Sequence, residues 1–137
     1  MGQQSIKIVR GVYEAFERGD LQAVFGAMAD ELEWNEAEGG PYAGVYRGRE
    51  AVAEKVLAPL MEDIPDFEAS PEEFIASGST VATVVRYTGS GKATGKRLDL
   101  QVVHVWDVRD GKIARFRQFV DTAKFLEVVQ PDVASTA

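Results

Sequence analysis

The sequence predicts an α+β domain, with helices covering one face of a mixed, mainly antiparallel β-sheet. Apolar residues recur at helical spacing up to about Met61, and period-two alternation punctuated by turn residues takes over afterwards. The last strands are also long, and a long sheet beneath a helical layer must twist and curve, which leaves a conical cavity able to hold a small ligand.

Each element follows in order. From Ser5 to Arg18, Ile6, Val9, Val12, Tyr13 and Phe16 share a helical face, while Lys7, Arg10, Glu14 and Glu17 fall elsewhere. Gly19 suits the end of that helix, and Asp20 can cap a short second one whose apolar face is Leu21, Val24, Phe25 and Met28. Leu32 to Glu36 alternates like a strand, and the breakers between Gly39 and Gly44 form a loop where the chain changes direction. A third helix is predicted from about Arg49 to about Met61, stopped before Pro65. Candidate strands then cover 66–70, 72–77, 80–88, 97–109 and 112–120, separated by turns at Gly78-Ser79 and Gly89–Gly95. Residues 1–130 read as a single domain, and 131–137, which lack an apolar pattern, as a flexible C-terminal tail.

Composition narrows the function. The chain has 137 residues, 45% of them hydrophobic, enough for one core of its own. A net charge of −7 with interspersed Lys and Arg disfavours nucleic acid. There is no cysteine and one histidine, which argues against thiolate chemistry, a metal site or a metal cofactor. Neither a leader pattern nor a membrane-length apolar run is present, so the expected location is cytoplasmic with no membrane partner.

The C-terminal hairpin carries the chemistry. Two alternating runs flank Asp110-Gly111, and a two-residue turn there would oppose Val108 to Ile113, Trp106 to Arg115, His104 to Arg117, Val102 to Phe119 and Leu100 to Asp121 on one face. Phe116 and Gln118 would then lie on the other face. A flat ladder in that register holds His104 and Asp121 roughly 13 Å apart, so only a bulge or strong curvature brings both into one cavity. Asp121 is the first candidate base, because an apolar pocket raises a carboxyl pKa toward neutrality; the alternative is that it caps the segment from Thr122. His104 can exchange a proton or donate to a carbonyl, or serve as a hydrogen-bonded core residue. Tyr13, Phe16, Trp34, Val102, Trp106 and Phe119 are candidate wall residues, Tyr42 and Tyr46 lie on or beside the glycine-rich loop as candidate lid residues, and Arg86 reads as solvated.

Four ordered motifs, Tyr13–Asp20, Asp30–Trp34, Tyr42–Val52 and the hairpin ending in Asp121, resemble the SnoaL-like branch of the nuclear transport factor two-like superfamily. That superfamily includes ketosteroid isomerase, polyketide cyclases and limonene epoxide hydrolase. The resemblance implies a cone-shaped, cystatin-like fold, a homodimer formed through the sheet, and cofactor-free isomerase- or cyclase-like chemistry on a small apolar carbonyl compound, with Asp121 as base and His104, Tyr13 or an ordered water as hydrogen-bond donor. A binding or dimerisation domain without turnover is the alternative it leaves open. Arg86-Tyr87-Thr88 lacks the second acid of the epoxide hydrolase pattern, and Arg97-Leu98-Asp99 reads as lying on the face away from Asp121. No base with two oxyanion donors, as in ketosteroid isomerase, is legible in the sequence.

Overall fold

A computed structural model of the chain describes residues 2–131; apart from Pro131, the segment read as a tail lies outside the described residues. Helix α1 (Gly2–Glu17) is followed by α2 (Leu21–Gly26), strand β1 (Met28–Glu36) and a short β2 (Gly44–Arg47). Then come α3 (Arg49–Val52), a π-helical turn (Ala53–Leu57) and α4 (Ala58–Asp63). Strands β3 (Glu68–Ser77), β4 (Thr80–Ser90), β5 (Arg97–Arg109) and β6 (Lys112–Phe119) lead to α5 (Thr122–Val129).

The strands form one six-stranded sheet in the order β2-β1-β6-β5-β4-β3. Every pairing is antiparallel except β1 with β6, which is parallel. Helices cover the inner face, where Val9, Leu32, Val52, Val81, Leu98, Ile113 and Phe125 are fully or almost fully buried. Asp20 caps α2 as the sequence predicts, its carboxylate accepting from Ala23 N–H at 3.0 Å and so satisfying one of the amides a helix start leaves free. Two strands expected at 66–70 and 72–77 are one, β3, because the irregularity between Pro71 and Glu73 bends the strand without ending it. Strand β2 has no legible pattern of its own; it is an edge strand that exists by pairing with β1. Gly91 is buried where α5 meets the sheet: a Cβ there would lie 2.0 Å from the Val128 carbonyl oxygen, so only glycine permits the approach.

The decisive detail is in the β5–β6 hairpin. Asp110 and Gly111 both have positive φ, as a two-residue turn requires, and Val108 opposes Ile113. The next pair, however, is Asp107 with Arg115, so Ala114 is an extra residue, a β-bulge. Beyond it Trp106 opposes Phe116 and His104 opposes Gln118, one step away from the register expected for an unbroken ladder. Because side chains alternate with period two, this slip moves Phe116 and Gln118 to the inner face and Arg115, Arg117 and Phe119 to the outer face.

Candidate functional site

The inner face encloses a cavity of about 60 Å³. Its wall is mostly apolar and aromatic: Phe16 and Val12 come from α1, Trp34 from β1, Leu60 from α4, and Trp106 and Phe116 from the hairpin. Trp34 and Phe116 stack with ring centres 3.8 Å apart, and Trp106 meets Trp34 edge-on. The π-helical turn supplies Val56 and Leu57 to the same wall. Among the described residues lining the cavity there is no lysine or arginine.

Its polar groups are Tyr13, Glu36, Tyr87, His104 and Gln118. Strand alternation places them. Leu32, Trp34 and Glu36 share the inner face of β1, while Thr83 and Tyr87 do so on β4, and the bulge adds Gln118. Glu36 accepts from Trp34 Nε1 at 2.7 Å and is only 8% exposed. Burial without a cation raises its pKa to about 7, against the pull of the Trp34 and Gln118 donors, so the carboxyl gives and takes a proton near neutrality.

His104 lies between two phenols: its Nδ1 is 2.6 Å from Tyr13 Oη and its Nε2 is 2.6 Å from Tyr87 Oη. Burial lowers its pKa to about 3, which leaves the ring neutral, and burial likewise holds both tyrosine pKa values above their ordinary range. Trp106 Nε1–H donates to Tyr13 Oη at 3.0 Å, and Gln118 Nε2–H donates to Tyr87 Oη at 3.0 Å. Ala37 N–H donates to Gln118 Oε1 at 3.1 Å, which fixes which way that amide points. One chain of hydrogen bonds therefore runs from the end of β1 to α1.

Of the candidates read from the sequence, Tyr13, Phe16, Trp34, His104 and Trp106 line the cavity. Asp121, the first candidate base, stands in the alternative role read for it: its side chain is exposed, accepts from Lys124 N–H at 3.1 Å as the cap of α5, and is not among the residues lining the cavity. Phe119 is turned outward by the bulge and is 54% exposed. Val102 is buried core, and Tyr46 is half-buried with its hydroxyl on the Tyr42 carbonyl at 2.8 Å; neither is among the lining residues. Arg86 pairs with Glu72 and Asp99 on the solvated face, as expected.

Sequence reasoning missed Glu36, Tyr87 and Gln118. A signal for Glu36 was present, a carboxylate in phase with Leu32 and Trp34 on a strand's apolar side. Gln118 gave none, because the bulge decides its face.

A helix-covered curved sheet around a small aromatic cavity defines the class: a pocket domain of the nuclear transport factor two-like type. The model of the SnoaL-like domain matches residues 9–116, and the chain belongs to that family. A nuclear transport factor two-like protein from Burkholderia thailandensis is 35% identical, with 93% of this chain and 98% of that one covered and a TM-score of 0.88. TerC, co-crystallised with polyporic acid, is 26% identical, with 93% and 99% covered and a TM-score of 0.84. A protein of unknown function with a cystatin-like fold from Xanthomonas campestris is 23% identical, with 93% and 98% covered and a TM-score of 0.82. No curated protein matches the chain. Among the described residues no helix is long and apolar enough to cross a membrane.

Proposed function

We propose that this SnoaL-like domain binds a small, uncharged, largely apolar carbonyl compound and moves a proton at the carbon next to the carbonyl, with Glu36 as the base. One observation carries the reading: a buried carboxyl without a cationic partner stands in an aromatic cavity beside neutral hydroxyl and imidazole donors. Glu36 as carboxylate takes the C–H proton, the electron pair moves onto the carbonyl oxygen, and a neutral donor hydrogen bonds the enolate that forms. Return of the proton to another carbon completes an isomerisation; attack of the enolate carbon on a second carbonyl would be a cyclisation. The lack of a lining cation favours an uncharged substrate, since a buried anion would have no partner. Likeness to TerC, co-crystallised with polyporic acid, supports a small organic molecule as occupant.

The test is hydrogen–deuterium exchange of activated cyclic ketones such as 2-tetralone in D₂O. Wild type accelerates exchange, with a rate that rises with pH through about 7 as Glu36 loses its proton. Glu36→Gln lowers that rate by about 10²- to 10⁴-fold. Equal rates in the two proteins would overturn the proposal.

The same reading includes a homodimer joined through the outer face of the sheet. A transverse row there, Val45, Asn35, Arg117, Val105, Ala82 and Ile75, crosses all six strands, with Val45 56% exposed and Phe119 nearby. Sedimentation equilibrium of wild type and Phe119→Lys tests it, with a dimer expected for wild type and a monomer for the variant.

A further inference from the structure

The Tyr13–His104–Tyr87 chain has a surplus of protons that the hydrogen bonds within it do not use. Both ends are closed by fixed donors: Trp106 Nε1–H enters Tyr13 Oη, and Gln118 Nε2–H enters Tyr87 Oη. Between them lie two bonds, Tyr13 to Nδ1 and Tyr87 to Nε2, and each needs one proton. Three are present, one on each hydroxyl and one on the neutral ring. If the ring proton is on Nδ1, it fills the bond to Tyr13 and Tyr87 must donate to Nε2, which leaves the Tyr13 proton over. If it is on Nε2, the roles reverse and the Tyr87 proton is left over.

The two leftover protons face different surroundings. On the Tyr13 side stands Thr83, paired across the strands with His104, its Oγ1 buried and without a formed hydrogen bond. On the Tyr87 side stands Gln118, held by the backbone of Ala37 immediately after Glu36. A carbonyl whose neighbouring carbon is presented to Glu36 places its oxygen toward that same side, because that carbon and the oxygen are both bonded to the one carbonyl carbon between them.

We infer that His104 acts as a tautomeric switch, and that Tyr87 is the hydroxyl that hydrogen bonds the ligand's carbonyl oxygen, free to do so only while His104 carries its proton on Nε2. The role of Tyr87 rests on the function proposed above; the proton count does not. His104 is a positioning residue in this scheme. It reaches the ligand through Tyr87, and its tautomer sets whether the cavity offers a donor near Glu36.

The single histidine makes the switch directly observable by ¹⁵N NMR of histidine-labelled protein near pH 7. A buried N–H without an acceptor costs more than an acceptor without a donor, so removing either phenol fixes the tautomer. Tyr87→Phe is expected to put the proton on Nδ1, facing Tyr13, and Tyr13→Phe to put it on Nε2, facing Tyr87. The same tautomer in both variants would overturn the switch. This comparison needs no ligand. In the exchange assay with 2-tetralone, Tyr87→Phe is expected to lose about 100-fold or more in rate, at least about tenfold beyond any loss in Tyr13→Phe. Equal losses would overturn the role of Tyr87. Absence of exchange in wild type would overturn the proposed function and with it that role, and the switch would be judged on the two spectra.

Discussion

Replacing Glu36 by Gln tests the site's electrostatics without any substrate. The carboxyl has an ordinary pKa of 4.5 and about 7 in the folded protein, because burial disfavours its charge more than the Trp34 and Gln118 donors favour it. The folded state therefore holds more protons than the unfolded state between those values, and stability falls as pH rises across that window. At about 1.4 kcal/mol per pH unit, the gap amounts to about 3 kcal/mol, a large share of a typical domain's stability. Glutamine keeps the shape and an oxygen for Trp34 Nε1–H but never ionises. The stability of Glu36→Gln relative to wild type should therefore rise by about 3 kcal/mol between about pH 4 and pH 8.5. Urea unfolding followed by tryptophan fluorescence measures it, with Trp34 beside the substituted group. Taking the difference between the proteins cancels every other titrating group, His104 included. A difference constant within about 0.5 kcal/mol would refute the claim that Glu36 is a desolvated acid, and one that falls with pH would mean its charge is stabilised.

Three further outcomes follow from the same geometry. His104, with its pKa lowered to about 3 by burial, should show no ring titration by NMR between about pH 5 and pH 8, and its contribution to stability is lost as pH falls through about 6.5 toward that value; a midpoint near 6.5 would contradict its neutral state. Asp121→Ala should lower stability by about 1 kcal/mol through loss of the α5 cap, with ketone exchange unchanged, and a large loss of exchange in folded protein would return Asp121 to the site. Deleting Ala114 removes the bulge and leaves an unbroken ladder in which Arg115 still opposes Asp107 and Phe116 still opposes Trp106, so the variant should keep a cooperative thermal transition with Phe116 and Gln118 inside; loss of that transition would show that the fold needs the bend of the bulge itself.

Local pattern determined much of this protein. The helical face of Val9, Val12, Tyr13 and Phe16, the Asp20 cap and the Asp110-Gly111 turn depend on residues a few positions apart, and each is found as the sequence predicts. The ordered motifs carry the family, and strand alternation was enough to put Trp34, His104 and Trp106 inside. Tertiary structure decided the chemistry. Whether Gln118 or Phe119 faces the cavity turns on one extra residue, Ala114, whose effect is invisible to periodicity because a bulge inverts the alternation after it. Tyr13 and His104 are 91 positions apart, and His104 and Tyr87 are 17 apart on paired strands, so their hydrogen-bonded chain exists only once the sheet has curved around α1. The same holds for the two carboxylates. Asp121 and Glu36 are chemically alike and both end strand-like runs, but Asp121 meets a helix start in water and Glu36 meets indole and phenol rings. Desolvation, a property of the folded surroundings and not of the residue, gave the raised pKa to Glu36.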